Sequence, residues 1–304
     1  MPDKKSYAYF TGGIVICLLG SIFFSTKAIF VKLAYREAPV DAITLLAMRM
    51  LFSLPFFVVS AFVSSQKSDN VKFTVKQWLG IALVGCLGYY VSSLLDFMGL
   101  KYISAGIERL VLFIYPTFVL LMSALVFRSK ISVQQGLALL ITYGGVLVAF
   151  WGEAHVEAAS SDFYKGALLI FTCAITYAMY IVGSGRLIPS VGASKFNSYA
   201  MSFAAAAVLL HFFVTSSNSL WDQDTSTYLY SFLMAILGTV IPSYLVTWGI
   251  KRVGSNNAAI VGSIGPVSTI LQAYFFLQEP IRASQIAGTL LILVGVLMIS
   301  MKKK

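Results

Sequence analysis

Two similar stretches of this sequence lie 150 residues apart, GLKYISA at residues 99–105 and GIKRVGS at residues 249–255. The similarity extends without a gap over residues 99–149 and 249–299, with 12 identities in 51 positions. Pro116 matches Pro266 in this register. A constant register over this length indicates that the chain contains an internal duplication.

The composition around the duplicated stretches is that of a membrane protein. Apolar residues make up 58% of the 304 residues and charged residues only 11%, whereas soluble domains contain about 25% charged residues. The net charge of +10 does not indicate nucleic-acid binding, because the basic residues lie in short loops between apolar segments. Cys17, Cys86 and Cys173 lie within apolar segments and lack the spacing of metal ligands, so we expect neither a metal nor another cofactor.

Ten apolar stretches are about 20 residues long, the length that a helix needs to cross the bilayer core. They are residues 12–34, 42–64, 77–100, 104–127, 132–151, 163–184, 195–215, 227–249, 256–277 and 284–301. Each copy thus holds five spans, in residues 1–151 and 163–301, and an odd number of crossings inverts the second copy. The sequence therefore predicts an all-α membrane protein with ten transmembrane helices in two inverted five-helix repeats, the architecture of secondary transporters.

The loop charges predict the orientation of these spans. With both termini inside, 14 of the 22 Lys and Arg residues fall on the cytoplasmic side and five on the outer side, which are Lys32, Arg36, Lys101, Lys165 and Arg282. Cytoplasmic loops carry the excess of positive charge in membrane proteins. We therefore expect both termini to be cytoplasmic in a multi-pass protein of the plasma membrane, which is the inner membrane in a bacterium.

This arrangement resembles the drug/metabolite transporter superfamily, and specifically its EamA-type members. The resemblance is carried by residues 99–105 leading into Tyr115-Pro116, and by residues 249–252 leading into Gly265-Pro266, Glu279-Pro280 and Gly295-Val296. In the first copy Ser129-Lys130 replaces the Glu-Pro of the family pattern. The resemblance implies a transporter but not its substrate, because the family moves amino acids, nucleotide-derived metabolites, sugar phosphates and drugs.

Five ionisable residues fall within the predicted spans, all in the outer half of the first copy: Lys27, Arg49, Asp96, Glu108 and Arg109. A charge at the centre of a membrane helix costs about 3 kcal/mol on insertion scales, so each needs a partner or water. Three cations against two anions leave one positive charge in excess. The second copy carries neutral residues at the equivalent positions that can be aligned, which are Ala258, Ala259 and, for Lys27, Tyr180.

Two interpretations of these charges remain open. In one, Asp96 and Glu108 neutralise Arg49 and Arg109, and the cluster only holds helices together. In the other, the excess cation faces a cavity and binds a carboxylate or phosphate of the substrate, while Glu108 or Asp96 carries a coupling proton. Lys27 is the expected unpaired cation, because its own span contains no acid.

Aromatic residues and prolines complete the candidate site. Tyr89, Tyr115, Tyr180 and Trp248 lie on helical faces with other polar residues, so we include them as candidate substrate-binding residues, although packing or an interfacial belt also explains such aromatics. The equivalent prolines, Pro116 and Pro266, are expected to kink their spans and to act as hinges.

The leading hypothesis is a secondary active transporter that exports small organic solutes such as amino acids or related carboxylated metabolites, working as a monomer among membrane lipids. An integral-membrane enzyme is one alternative, but the chain has two histidines, no HExxH motif, no Cys/His constellation for catalysis and no phosphate-binding loop. A passive channel or lipid scramblase is the other, and the confinement of intramembrane charge to one half favours a solute pocket over a pore.

Overall fold

Every regular element in the described part of the chain is helical. The structure, a computed structural model, describes residues 4–66, 72–128, 130–157, 162–278 and 281–300. Its α-helices are α1 (Lys4–Glu37), α2 (Ala42–Ser65), α3 (Val75–Gly85), α4 (Ser92–Gly99), α5 (Ala105–Leu112), α6 (Tyr115–Phe127), α7 (Val133–Glu157), α8 (Phe163–Val191), α9 (Ala193–Thr215), α10 (Thr225–Ala235), α11 (Ile241–Val261), α12 (Gly265–Gln272) and α13 (Ala283–Ser300). The all-helical membrane fold predicted from the sequence is confirmed.

The number of long apolar segments differs from the predicted ten. Eight segments in the described ranges are long and apolar enough to cross a membrane. One of them, Thr225–Leu277, contains 53 residues and both predicted spans 227–249 and 256–277, with no loop between them. The backbone instead leaves helical geometry at a single residue, Gly254, where φ is 79° and ψ is 163°. The last apolar helix, Ala283–Met298, is shorter than 18 residues.

Helical irregularities recur at equivalent positions in the two copies. The π-helical segments Cys86–Val91 and Ile236–Val240 both follow the 150-residue offset. Two further residues at this offset, Arg128 and Gln278, are the described non-glycine residues with positive φ. The backbone conformation is therefore repeated in the two copies, including at positions outside the aligned sequence.

The two prolines lie at irregular turns within the long apolar helical segments Ala105–Phe127 and Thr225–Leu277. Pro116 and Pro266 each lie in the first turn of a new helix, α6 and α12, after a break in the preceding helix. A proline fits there because the first-turn amides have no partner within the helix. The irregular turn lies just before each proline, where the missing amide hydrogen and the ring disturb the carbonyl four residues earlier. Their role as hinges stays a prediction.

Helices of the two copies pack in a reciprocal pattern. Helix α1 packs along α11, and the corresponding helices of the other copies, α8 and α4, also pack together. Helix α2 packs on its own counterpart α9, and α7 on its counterpart α13. A pseudo-two-fold axis produces such a pattern, because it exchanges unlike pairs and leaves like pairs facing each other.

Helices α1 and α11 are antiparallel and pack closely through glycines. Gly20 lies against Val246, and Gly13 against Val253. Between these contacts, Gly249 lies so close to Cys17 that a Cβ added to the glycine would be 2.2 Å from the Cys17 Sγ but 3.5 Å from its Cβ. The sulfur therefore occupies the space that a larger residue at 249 would need.

We expect Gly249→Ala to lower the free energy of unfolding by about 1–3 kcal/mol, the usual effect of overpacking. Adding Cys17→Ala should recover most of this loss, because only the sulfur clashes. Thermal unfolding of the purified protein in detergent measures both effects. Gly136→Ala is the matched control, since nothing lies within 4 Å of a Cβ added there. Equal melting temperatures for Gly249→Ala and the parent would contradict the packing described.

Asp41 begins α2 and joins two loops. Its Oδ1 accepts hydrogen bonds from the backbone amides of Ile43 and Thr44 at 2.9 and 3.0 Å, and its Oδ2 accepts one from Asn218 Nδ2 at 2.6 Å. Partial burial raises the pKa of Asp41, but the hydrogen bonds from Thr44, Asn218 and Ile43 outweigh it, and the net pKa lies below the ordinary value.

A depressed pKa in the folded state makes this carboxylate stabilising above the unfolded pKa, which is about 3.9. That stabilisation is lost as the pH falls through the folded value. We therefore expect Asp41→Asn to flatten the fall of the melting temperature below about pH 5. The exposed Asp222→Asn variant should keep the parent profile. Superimposable profiles of Asp41→Asn and the parent would show that the cap does not act through its charge.

Candidate functional site

A small cavity lies between the two copies. Its volume is about 50 Å³, enough for a few water molecules. Its lining includes Ser92 and Ser93 of α4, and the aromatic, charged and thiol side chains of α1, α5, α6 and α8, which are Phe24, Lys27, Arg109, Tyr115, Cys173 and Tyr177. Three of the residues predicted from the sequence, Lys27, Arg109 and Tyr115, therefore face one space.

Two buried ion pairs form the charged wall of this cavity. Lys27 Nζ on α1 is 2.9 Å from Asp96 Oδ2 on α4, and Arg109 Nε is 3.0 Å from Glu108 Oε2 on α5. The two carboxylates are fully buried and interact electrostatically with each other and with both cations. The cations face the cavity and the acids lie behind them. Such pairing offsets the large desolvation cost of buried charge.

The expectation that Lys27 is the unpaired cation is wrong. Its partner, Asp96, lies on a different helix, so the residues of the span that contains Lys27 do not indicate this pair. Pairing of Asp96 with Arg49 is likewise not observed at salt-bridge distance, because Lys27 holds the Asp96 carboxylate. Glu108 and Arg109 do pair, as the structural interpretation expected.

Arg49 is the cation in excess. Its guanidinium carbon lies 4.9 Å from the centre of the Phe97 ring, and the residue is 1% exposed. Within the part of the chain that the structure describes, Arg49 Nε and Nη2 have no hydrogen-bond partner. The aromatic face stabilises the buried charge in part. Arg49 is not among the residues that line the cavity, although its charge acts on Asp96.

A group of packed aromatic rings lies beside the cavity and the two ion pairs. Tyr115 packs against Tyr177 with ring centres 5.2 Å apart, Tyr177 stacks on Tyr180 at 5.9 Å, and Tyr180 meets Tyr89 edge-on at 5.0 Å. Phe24 lies 6.0 Å from Tyr177 and below Lys27. Tyr89 and Tyr180, both predicted, are thus part of one aromatic group, but they are fully buried behind its cavity-facing members.

The aromatic cavity residues Phe24 and Tyr177 were not predicted from the sequence, and the predicted Trp248 lies away from the cavity. Phe24 precedes Lys27 by three residues and Tyr177 precedes Tyr180 by three, so the helical spacing used for the other candidates could have found them. Trp248 does not reach the cavity: it is 40% exposed, and its Nε1 donates to Ser194 Oγ at 2.9 Å. Trp248 lies one helical turn from Tyr244, on the face of α11 that packs against α9.

Tyr115 also connects the two copies. Its hydroxyl donates to the backbone carbonyl of Ala259 at 2.9 Å, and Ala259 is the residue equivalent to Arg109. A Cβ on Gly262 would be 2.2 Å from the same hydroxyl. The broken helix of one copy thus contacts the corresponding break of the other. Among the described residues, no three His, Cys, Asp or Glu side chains form a group that could hold a metal ion.

Two wider cavities lie on either side of the small one. The first vestibule has a volume of about 560 Å³ and is lined by residues that include Tyr35, Leu100, Lys101 and Leu277. The second vestibule has a volume of about 420 Å³ and is lined by residues that include Ile188, Ile250, Lys251 and Phe127. These two sets correspond one to one, three pairs at the 150-residue offset and Tyr35 with Ile188 at 153. Both copies contribute to each vestibule, and a residue of one copy in the first vestibule corresponds to a residue of the other copy in the second.

The two vestibules lie at opposite ends of α1. The first includes the end of α1 from Lys32 onward. The second includes Val253, which packs against Gly13 near the other end. From Gly13 to Lys32 the helix rises about 28 Å, close to the thickness of a bilayer core.

The ion pair of Lys27 and Asp96 generates a stability prediction. Lys27→Met should strand a buried carboxylate and lower the free energy of unfolding by about 3–5 kcal/mol. Adding Asp96→Asn should restore much of it, because the uncompensated charge is then removed. Thermal unfolding of the single and double variants measures the coupling, and the exposed Lys76→Ala is the control for loss of a positive charge. Additive losses in the double variant would refute the pairing.

Comparisons with known proteins agree with this architecture. The model of the EamA-like transporter family matches the chain twice, at residues 11–151 and 164–301. The uncharacterized transporter YcbK of Bacillus subtilis (strain 168) is 32% identical over 281 residues, covering 91% of this chain and 88% of that protein. A WAT1-related protein of Arabidopsis thaliana is 24% identical, covering 89% and 83%.

A solved crystal structure has a TM-score of 0.77 and 16% identity, covering 96% of this chain and 99% of the other, which shows the shared fold alone. The family resemblance noted in the sequence is confirmed by the two family matches and by the transporter relatives. The chain belongs to the EamA-like transporter family, and it is a multi-pass membrane transporter.

Proposed function

We propose that this protein is a secondary active transporter of small organic solutes that carry a carboxylate, such as amino acids, and that it works by alternating access. One observation carries the proposal: two vestibules built from equivalent residues of the two copies lie at opposite ends of α1, with a cavity of about 50 Å³ between the copies. Rocking of two pseudo-symmetric halves would close one vestibule as it opens the other.

Ten crossings in two inverted repeats are the topology that we propose. The first copy, residues 1–151, supplies five, and the second, residues 163–301, supplies five if the chain crosses twice within Thr225–Leu277. At 1.5 Å per residue those 53 residues exceed twice the core thickness of about 30 Å. The loop charges support cytoplasmic termini in a plasma membrane, and Pro116 and Pro266 are the proposed hinges, since each follows a helix break.

The substrate class follows from the charges that face the cavity. Lys27 and Arg109 line it, while their partners Asp96 and Glu108 lie behind them. A solute carboxylate could bind these cations in exchange for one internal carboxylate, which would then be available to a substrate ammonium group or to a coupling proton. A zwitterionic amino acid carries no net charge, so it would leave the net charge around the two ion pairs unchanged, which limits the cost of binding in the low-dielectric interior. We propose export as the direction.

Counterflow in proteoliposomes tests the transport function. Vesicles that contain the purified protein and unlabelled amino acids should accumulate external labelled amino acids in a saturable, trans-stimulated manner. Glu108→Ala with Arg109→Ala reproduces Ala258-Ala259 of the second copy and removes both charges together. We expect this variant to fold but to lose at least about tenfold in initial rate, the equivalent of 1.4 kcal/mol.

Trp248→Phe is the matched control, because it lies outside the cavity and should transport normally. Non-saturable flux would indicate a channel, lipid flipping without solute flux a scramblase, and chemical conversion of a solute an enzyme. Each of these results would overturn the proposal. Vesicles of defined orientation would show the direction.

A further inference from the structure

Arg49 is a buried cation without an ion pair in the described part of the chain. The residue is 1% exposed, and among the described residues its Nε and Nη2 have no hydrogen-bond partner. The Phe97 ring, whose centre lies 4.9 Å from the guanidinium carbon, stabilises the charge only in part. Buried polar atoms in native proteins nearly always have partners, so these two nitrogens call for an explanation.

The carboxylate of Asp96 lies between the fields of two cations. On α4 it directly precedes Phe97, and its Oδ2 is 2.9 Å from Lys27 Nζ on α1. Its Oδ1 has no hydrogen-bond partner among the described residues. The Arg49 guanidinium on α2, a helix that packs against α4, interacts electrostatically with this carboxylate without forming an ion pair. Asp96 therefore has one cation in contact and a second one close by.

The pairing of Lys27 creates a problem for a solute that is to bind there. A solute carboxylate that takes Lys27 leaves Asp96 without its partner, and an uncompensated charge in the low-dielectric interior is strongly unfavourable. Arg109 is already paired with Glu108. Arg49 has the required charge, a long side chain and two unpartnered nitrogens, and a guanidinium can hold a carboxylate through two parallel hydrogen bonds.

We propose that Arg49 is a positioning residue for transport: it takes the Asp96 carboxylate when a solute carboxylate takes Lys27, and it releases Asp96 to Lys27 when the solute leaves. This exchange keeps Asp96 ionised and paired in both states. The inference rests on the proposed transport function for its purpose. The exchange itself is measurable without a solute, because removing the charge of Lys27 deprives Asp96 of its partner in the same way.

Double-variant cycles in two backgrounds test the exchange. Each cycle combines Arg49→Met with Asp96→Asn, and the deviation from additivity in the melting temperature measures the coupling between the two groups. One cycle is made in the parent, where Lys27 holds Asp96, and the other in Lys27→Met, where that partner is removed. The measurement is thermal unfolding of the purified protein in detergent, with no solute added.

We expect the coupling in the Lys27→Met background to be at least about twofold larger than in the parent. Without an exchange, the charge of Arg49 acts on Asp96 from the same distance in both backgrounds, so equal couplings would overturn the proposal. Arg49→Lys should retain about half of the larger coupling, because an ammonium keeps the charge but not the planar fork of the guanidinium.

Lys195→Met is the matched control for loss of a buried cation. Lys195 is also buried, with its Nζ 4.0 Å from the centre of the Phe73 ring. Phe73 precedes α3 and Asp96 lies near the end of α4, so the length of a membrane span separates this site from the exchange. Lys195→Met should lower the melting temperature equally in both backgrounds. A larger effect in Lys27→Met would show that any lost cation produces the coupling, and would overturn the proposal.

The variant that lacks both Lys27 and Arg49 could fail to fold, and the cycle has an internal answer to that outcome. Adding Asp96→Asn to it removes the unpaired carboxylate, so we expect the triple variant to be recovered as folded, monodisperse protein. Failure of the triple variant to fold would show that Arg49 serves the packing of α2, and would overturn the exchange.

Counterflow with labelled amino acids then separates positioning from solute contact. Arg49→Met should raise the half-saturating amino-acid concentration at least about tenfold, but at most about twofold in an Asp96→Asn background, where no carboxylate competes for Lys27. A tenfold rise in both backgrounds would assign Arg49 a direct contact with the solute and overturn the exchange. Increased coupling without any counterflow would retain the exchange and reject the proposed function, whereas counterflow with equal couplings would do the reverse.

Discussion

Charge buried between membrane helices needs stabilising partners within the protein, and this constraint organises the centre of the molecule. Lys27 and Asp96 join α1 to α4, while Glu108 and Arg109 pair on α5 beside them. Neither pair is expected to add much stability relative to apolar residues, because desolvation offsets the attraction. Each partner is nonetheless needed once the other is present. The cluster therefore fixes the relative positions of α1 and α4, and it leaves two cations facing the cavity.

The duplication explains the scaffold but not the charge. Helix breaks, the π-helical segments Cys86–Val91 and Ile236–Val240, and the left-handed residues Arg128 and Gln278 recur at the same offset in both copies. The packing of α1 on α11 is repeated by α8 on α4. The ionisable residues recur nowhere in the second copy, where alanines and a tyrosine take their places. The pseudo-symmetric scaffold provides two equivalent openings, and the charge in one copy provides a single chemically distinct site. This combination suits a solute that is bound from one side of the membrane and released on the other.

The two vestibules share their geometry and differ in charge. Both are built from corresponding residues, so their shapes follow from the same helix ends and turns. Differences at only a few of these positions give the first vestibule three cationic residues and the second vestibule a single cationic residue. Because the field of a cavity mouth depends on a handful of side chains, the two openings can acquire different preferences without any change of fold.

The sequence by itself determined the membrane class, the duplication, the family resemblance and the presence of buried charge, because apolar length and repeated spacing are local properties of the chain. It also identified most members of the aromatic and charged group. Only the tertiary structure decided which charges pair, since Asp96 reaches Lys27 from another helix and leaves Arg49 on the Phe97 ring. It likewise separated Trp248 from the cavity and brought Tyr177 into it. Helical spacing shows which residues share one face of a helix. Which other helix packs against that face depends on contacts between segments that are distant in the chain.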